Sequence, residues 1–595
     1  MTDTHVPPPT SRKGFPRRLW DFFLSFSPYE WVFACTVLLF CIQFAVLPRQ
    51  TFFSPDEGMR VIASRSLRAD SLLSSLIRYQ GAPIDTQMKF VPYFAAWFNV
   101  LPGPELRLNY SHILYGTLLA PFVALGGVNG AQVLSLLCST FMGLCAAGIL
   151  QRVAGRGTAI LGVLCVMLLL PSALYAFLVW EHTLTLALFL LAIWCYLLWR
   201  DKAHPLLLIL GALSLLICCI LRIEMVFVIA PLFIWAYGPL ALNRRRVWVI
   251  AALLLVMAVI YGLLTLYTPQ RLPRLTAAFD ALWLQRVDKA IRSFVAGYEA
   301  TDATFFGLLA GAIIGNIALW AVRYRRTAAA LLAATALLLV SAIDALALLN
   351  IAPFGVSNPG LLGSAPFLLA AFLIPGTPRS PLRLLRWGLL TVFAGYIAGS
   401  LVFTSLAFRA ASVMSQTGST WASRYFLALY PLAGIVALET LHAWLGQPTQ
   451  RWAKGLLCIA IGLSFSVGIM GNLMGLSRIA LDKQIITAGC QPIWQAGVQV
   501  VITDDWWRAE ECAADANQSY LLVTHSNQLA ALSEALWQKG THDVLFVSRD
   551  GTLPLQTLED TLSQCFSFKV VDNINDQFGV LTAKITLEKR QSVCP

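Results

Sequence analysis

Asp56 and Glu57 stand side by side in "TFFSPDEGMR" (51–60), directly after an apolar run that begins near Trp31. Two adjacent carboxylates discourage one another's ionisation, so one can act as a base toward a hydroxyl while its neighbour orients it or ligates a metal. The plainer reading is a solvated pair in the first turn of the helix that "GMRVIASRSL" continues, behind Pro55.

Three more groups of the same kind stand near apolar runs. "APIDTQMKF" (82–90) holds Asp85 and Lys89, on one helix face or in an ordinary polar loop. "LVWEHTL" (178–184) holds Glu181 and His182 between two runs that carry no charge from Arg156 to Arg200. A glutamate there is hard to explain as a solvated face, although an acid at a helix N-terminus in a tight hairpin is the bland alternative. "GSTWASRYFLALYPL" (418–432) holds Arg424 and Tyr425 at a span end. Its guanidinium suits either a lipid phosphate, as an anchor, or a substrate phosphate.

These groups need a scaffold, and composition says which. The chain has 595 residues, 57% hydrophobic and 12% charged, with mean hydropathy +0.68. This is a polytopic α-helical membrane protein of about thirteen spans, each long enough for a bilayer. The spans are read at 31–48, 131–150, 157–176, 181–199, 205–221, 224–242, 247–267, 303–322, 327–347, 360–376, 387–405, 424–443 and 455–474. The net charge of +12 lies largely in short loops such as "SRKGFPRR", "NRRR" and "RYRR", where it orients the chain toward the cytoplasm. That placement excludes a nucleic-acid partner as its meaning. No cleavable signal peptide is expected from the polar, basic start.

The resulting layout is a cytoplasmic tail (1–30), a membrane domain (31–480) with a large extracytoplasmic loop (49–130), and an extracytoplasmic α/β domain (481–595). The apolar stretch 111–127 is expected as an interfacial helix broken by Pro121, Gly126 and Gly127, because a full crossing would invert every later basic loop. Residues 268–302 read as an amphipathic surface helix. After Cys490 short apolar strands alternate with amphipathic helices. Cys490, Cys512, Cys565 and Cys594 there could form one or two disulfides with the pairing open, and the other nine cysteines read as packing residues.

Collected on one face, the carboxylates, histidine and cations suit group transfer from a phosphate-linked lipid carrier. At these residues the chain resembles the GT-C superfamily of membrane glycosyltransferases, in the bacterial branch related to aminoarabinose transferase and protein mannosyltransferase. "SPDEG" (54–58) is similar to the acidic motif near the start of that family's large loop, and "PID" (83–85) with "FVP" (90–92) to a second landmark. "YSHILYGTLLAPF" (110–122), "WEHT" (180–183) and "WASRYFLALYPL" (421–432) are similar to later ones. The likeness spans residues 30 to 475 in layout, with Asp-Glu in place of the Asp-X-Asp of several members.

It implies a polyprenyl-phosphate-linked sugar donor, a glycan, lipid or protein acceptor, and inverting transfer outside the cytoplasm. Asp56 and Glu57 are then the catalytic candidates; Asp85, Lys89, Glu181, His182, Arg424 and Tyr425 the substrate-binding ones. Asp56, Glu57 and His182 would be the ligands if a divalent metal takes part. The alternative is a transporter or flippase for a lipid-linked or charged solute, which should carry ionisable groups in mid-span and internal repeats. Only Asp344 approaches that description, and no repeat is evident.

Overall fold

A computed structural model describes residues 23–49, 51–70, 76–93, 98–100, 105–108, 111–222, 225, 288, 291, 292, 294–297, 300–322, 325–351, 360–373, 386, 389, 390, 392, 427–447, 449–512, 518–549, 566–575 and 580–589. Helix α1 (Pro28–Cys41) opens on a capping box. Ser27 accepts the Glu30 amide at 3.3 Å, the Glu30 carboxylate reaches back to the Ser27 amide, and Pro28 fills the first helical position. Helix α2 is Pro55–Asp70, the helix start read at "SPDEG". Then follow α3 (Ser111–Val153), α4 (Arg156–Leu164), α5 (His182–Lys202), α6 (Pro205–Leu221), α7 (Asp302–Ala321), α8 (Arg326–Leu348), α9 (Leu429–Leu445) and α10 (Arg451–Gln495).

Six described helices are long and apolar enough to cross a membrane, or seven if one bent pair counts as a span. The expected thirteen are not shown. The spans read at 224–242 and 247–267 lie almost wholly outside the described residues, as does most of 387–405, and α6 and α9 are short for a crossing. Phe33, Leu206, Ile314 and Ile317 point outward from their helices, the reverse of a water-soluble surface. Most of the surface helix read at 268–302 also lies outside the described residues.

Two helices depart from straight crossings. In α3 the chain leaves helical geometry at Gly127 (φ 57°, ψ −136°), a left-handed φ that a Cβ would penalise. The separation of 111–127 from the following span is therefore present, but Pro121 sits inside the helix and is not the break. The run read as one span at 157–176 is also broken. After α4 it widens into a π-helical turn (Cys165–Leu169), meets Pro171, and tightens into a 3₁₀ helix to Phe177, bent by 57°. Proline removes a backbone donor and blocks the preceding turn, so carbonyls at membrane depth lose their helical partners. Two side chains of α10 reach carbonyls of this segment: Asn472 donates to Leu168 at 3.0 Å and Lys483 to Phe177 at 3.2 Å.

Helix α10 does not stop at the span read at 455–474 but runs on to Gln495 and leads into the C-terminal domain. There β4 (Val500–Thr503), β5 (Ser519–Leu522), β6 (Asp543–Arg549), β7 (Phe566–Asn575) and β8 (Val580–Lys589) form a mixed sheet in the order β5-β4-β6-β8-β7. Strands β4, β5 and β6 are parallel and β6-β8-β7 antiparallel, with α11 (Trp506–Glu511) and α12 (Ser526–Gln538) between strands. Cys490 on α10 is bonded to Cys512 at the end of α11, while Cys565 and Cys594 lie outside the described residues. The nine remaining cysteines are unbridged, seven of them buried.

The large loop folds onto this domain. It contains a small antiparallel sheet of β1 (Leu76–Arg78), β3 (Glu105–Leu108) and β2 (Phe98–Val100), in that order, which was not expected from the sequence. Met59, Tyr79, Phe90 and Leu106 of the loop share a core with Val500, Ile502, Leu521 and Val523 of the domain. The Leu522 amide donates to the Phe90 carbonyl at 2.8 Å. Gly58 lies so close to α11 that a Cβ on it would fall 1.7 Å from the Glu510 carbonyl oxygen. Only glycine allows that approach.

Candidate active site

Glu57 is the third residue of α2, the position from which a glutamate folds back onto the chain before its helix. One carboxylate oxygen takes the Phe53 amide and the other the Val179 amide, so the side chain ties the turn before α2 to the segment before α5. It is fully buried. Burial pushes the Glu57 carboxyl above its ordinary value, opposed by the charge of Lys483, by the two amides and by Arg60.

After the broken helix ends at Phe177 the chain turns extended at Leu178 (φ −114°, ψ 139°) and is back in helical geometry at Glu181, the cap of α5. Phe177, Val179 and Glu181 each hold a partner far away in sequence. Phe177 accepts from Lys483, Val179 donates to Glu57, and Glu181 accepts from two arginines. Arg60 reaches Glu181 at 2.6 Å and Arg222 reaches it at 3.0 Å. Arg60 also donates to the Asp56 carbonyl at 2.6 Å, one turn back on α2. A buried carboxylate holding two guanidiniums is a paired arrangement, without which neither charge would be tolerated there.

Aromatic rings close this side. Tyr175 and Trp180 flank His182 at ring-centroid distances of 5.2 and 5.1 Å, and Phe53 meets Trp180 edge-on at 6.2 Å. Asp56 lies in the first turn of α2 beside these groups, and its side chain is only half-buried, whereas Glu57 and Glu181 are enclosed. Asp56, Glu57, Glu181 and His182, expected to converge from separate segments, thus occupy one neighbourhood.

Asp85 lies elsewhere. It is buried and accepts from the Lys89 amide at 2.8 Å, the Phe90 amide at 2.7 Å and the Tyr79 hydroxyl at 3.3 Å, in the core shared by the loop and the C-terminal domain. The Lys89 side chain is exposed. Arg424 and Tyr425 lie outside the described residues. The candidate metal set of Asp56, Glu57 and His182 does not fit an ion well: both Glu57 oxygens already hold amides, and among the described residues no three His, Cys, Asp or Glu side chains gather to hold one.

Three participants escaped the sequence reading. Arg60 was hidden in an amphipathic helix and Lys483 in a polar stretch after a span. Arg222 had a usable signal, since "LRIE" (221–224) interrupts two apolar runs with a lone charged pair.

No protein-family model matches the sequence, and no curated protein does. Solved structures do resemble the chain. ArnT from Cupriavidus metallidurans bound to undecaprenyl phosphate has a TM-score of 0.48 and 12% identity, covering 93% of this chain and 98% of that one. An oligosaccharyltransferase from Archaeoglobus fulgidus tethered with an acceptor peptide has a TM-score of 0.42 and 11% identity, covering 87% and 69%. The arabinofuranosyltransferase AftD from Mycobacteria has a TM-score of 0.40 and 12% identity, covering 93% and 40%. These structural neighbours are GT-C glycosyltransferases. At such scores and identities they are likenesses only, and the functional argument rests on the residues above.

Proposed function

We propose that the chain is a membrane glycosyltransferase that moves a sugar from an isoprenoid-phosphate-linked donor to an acceptor hydroxyl. The extracytoplasmic face is assigned to the reaction, with the N-terminus in the cytoplasm and the C-terminal domain outside. The observation that carries this reading is the sorting of two adjacent carboxylates into different environments. Glu57 is enclosed and holds backbone amides, while Asp56 is half-buried in the turn that leaves the membrane. Neighbouring acids held in unlike environments can take distinct roles.

Asp56 takes the proton of the acceptor hydroxyl as that oxygen attacks the anomeric carbon. The bond from that carbon to the phosphate oxygen breaks, and the lipid phosphate leaves with the bonding pair. Arg424, with Tyr425, is assigned to the phosphate, where a guanidinium offsets the departing charge. Glu57 orients the turn, Glu181 keeps Arg60 and Arg222 beside it, and His182 with its flanking rings forms a wall. Asp85 and Lys89 belong to the loop that shapes the acceptor side.

The test is transfer by protein reconstituted in lipid vesicles, with a panel of polyprenyl-phosphate-linked pentoses and hexoses and envelope glycans, lipids or proteins as acceptors. The expected result is a new glycosidic bond and release of the lipid phosphate. Asp56→Asn keeps the fold and lowers transfer by roughly 10²-fold or more. Movement of lipid-linked sugar across the bilayer with no bond formed would replace this reading with the transporter one.

A further inference from the structure

Lys483 is a fully buried lysine on the helix that joins the membrane domain to the C-terminal domain, and the chemistry above does not use it. Such a cation is costly unless something needs it. Its ammonium donates to the Phe177 carbonyl at 3.2 Å, and two residues on, Val179 donates its amide to Glu57. Glu57 in turn holds the Phe53 amide, and Asp56 is its neighbour. Two turns further along α10, Cys490 is tied to Cys512, the residue that ends α11, whose Glu510 carbonyl lies against Gly58. The same helix therefore grips the first turn of α2 from two directions, once through residues 177–179 and once through the disulfide-held α11.

We propose that Lys483 is a positioning residue for the transfer reaction: its bond to Phe177 fixes residues 177–179 and, through Glu57, the turn that presents Asp56. The kinetic part of this inference rests on the transferase reading; the structural part does not. Without the ammonium the Phe177 carbonyl loses a donor at the end of a broken helix that has already lost backbone partners, and residues 177–179 are freed to shift. A shift of about 1 Å at a reacting group is enough to lower turnover by roughly 10²-fold without changing what binds.

The experiment uses the full chain in lipid nanodiscs with Lys483→Met, Lys483→Arg, Glu57→Gln and the Lys483→Met/Glu57→Gln double variant. If Lys483→Met does not assemble, Lys483→Gln takes its place. Hydrogen exchange at the Phe53 and Val179 amides is read without substrate, and in Lys483→Met both should exchange about 10-fold faster. With donor and acceptor present, kcat should fall by about 10- to 100-fold while the donor KM stays within about twofold. Lys483→Arg, which keeps charge and donor, should recover kcat to within about threefold. In the Glu57→Gln background the Lys483 substitution should cost nothing further, because both act along one path. Unchanged exchange overturns the proposal whether or not sugar moves, and so does fast exchange with wild-type kcat. A wild type that transfers nothing refutes the transferase reading alone, and the exchange measurement then decides whether Lys483 holds the turn.

Discussion

Asp85 and Glu57 are both buried carboxylates that each accept two backbone amides, yet they organise the molecule on different scales. Asp85 takes its amides from residues four and five positions along, and so ties a knot within one loop. Glu57 takes one amide from four residues back and the other from 122 residues on. The Asp85 knot needs only its own loop in order to form. The Glu57 tie exists only after α2 and the segment following the broken helix have come together, so it reports on tertiary assembly. A local carboxylate shapes a surface, whereas a distant one can transmit position between domains.

The largest expected effect that sharpens this contrast comes from Glu181→Ala. It leaves Arg60 buried without its carboxylate and should destabilise the protein by about 3–5 kcal/mol in denaturant unfolding. A loss below about 1 kcal/mol would mean that the pair behaves as an exposed one and the neighbourhood is open to water.

Gly58→Ala forces α11 away from α2, because the new Cβ would sit 1.7 Å from the Glu510 oxygen. Overpacking of this kind should cost about 1–3 kcal/mol and speed proteolysis of the C-terminal domain. Wild-type resistance to proteolysis would break the claim that the domain presses on the Asp56 turn.

Asp85→Asn replaces one acceptor with an amide group that faces a backbone donor. About 1–3 kcal/mol of stability should be lost, with transfer largely retained, as read by melting and initial rates. A fall in transfer as deep as that of Asp56→Asn would move Asp85 from the loop into the site and erase the contrast.

The smallest effect is a pH dependence. The Glu57 carboxyl is held above its ordinary value, so the folded state binds this proton more tightly than the unfolded chain. Its contribution is fully present below the unfolded value of about 4.3 and is lost as pH rises through the folded value. Melting of wild type compared with Glu57→Gln across this range should show the wild type losing ground as pH rises. An opposite slope would mean that Lys483 and the two amides outweigh burial.

Much of the framework was readable from the chain. The start of α2 at "SPDEG" follows from Pro55 and the acids after it, which satisfy a helix N-terminus by themselves. The separation of 111–127 from the next span was readable because a glycine was available for a left-handed turn, although Pro121 was wrongly counted among the breaks. The break at Pro171 was missed, since an apolar run shows the same hydropathy whether or not its helix is continuous. Of the neighbourhood around Glu57, the residues Asp56, Glu181 and His182 were legible because charge beside apolar runs is expensive and therefore conspicuous. Arg60 and Lys483 were not, because each sits in a stretch already polar enough to hide it.

By itself the sequence determined that the chain enters a membrane, where helices begin, and that an α/β unit follows the last span, since hydropathy, caps and periodicity act over a few neighbouring residues. It could offer four cysteines but not choose Cys490 with Cys512. Only the tertiary structure decided that Glu57 faces inward while Asp56 stays half-exposed, that Glu181 holds two arginines, and that a lysine 306 residues beyond Phe177 completes a broken helix. Those are choices of partner across the chain, made when buried charges and unpaired carbonyls must find one another in a medium that offers no water.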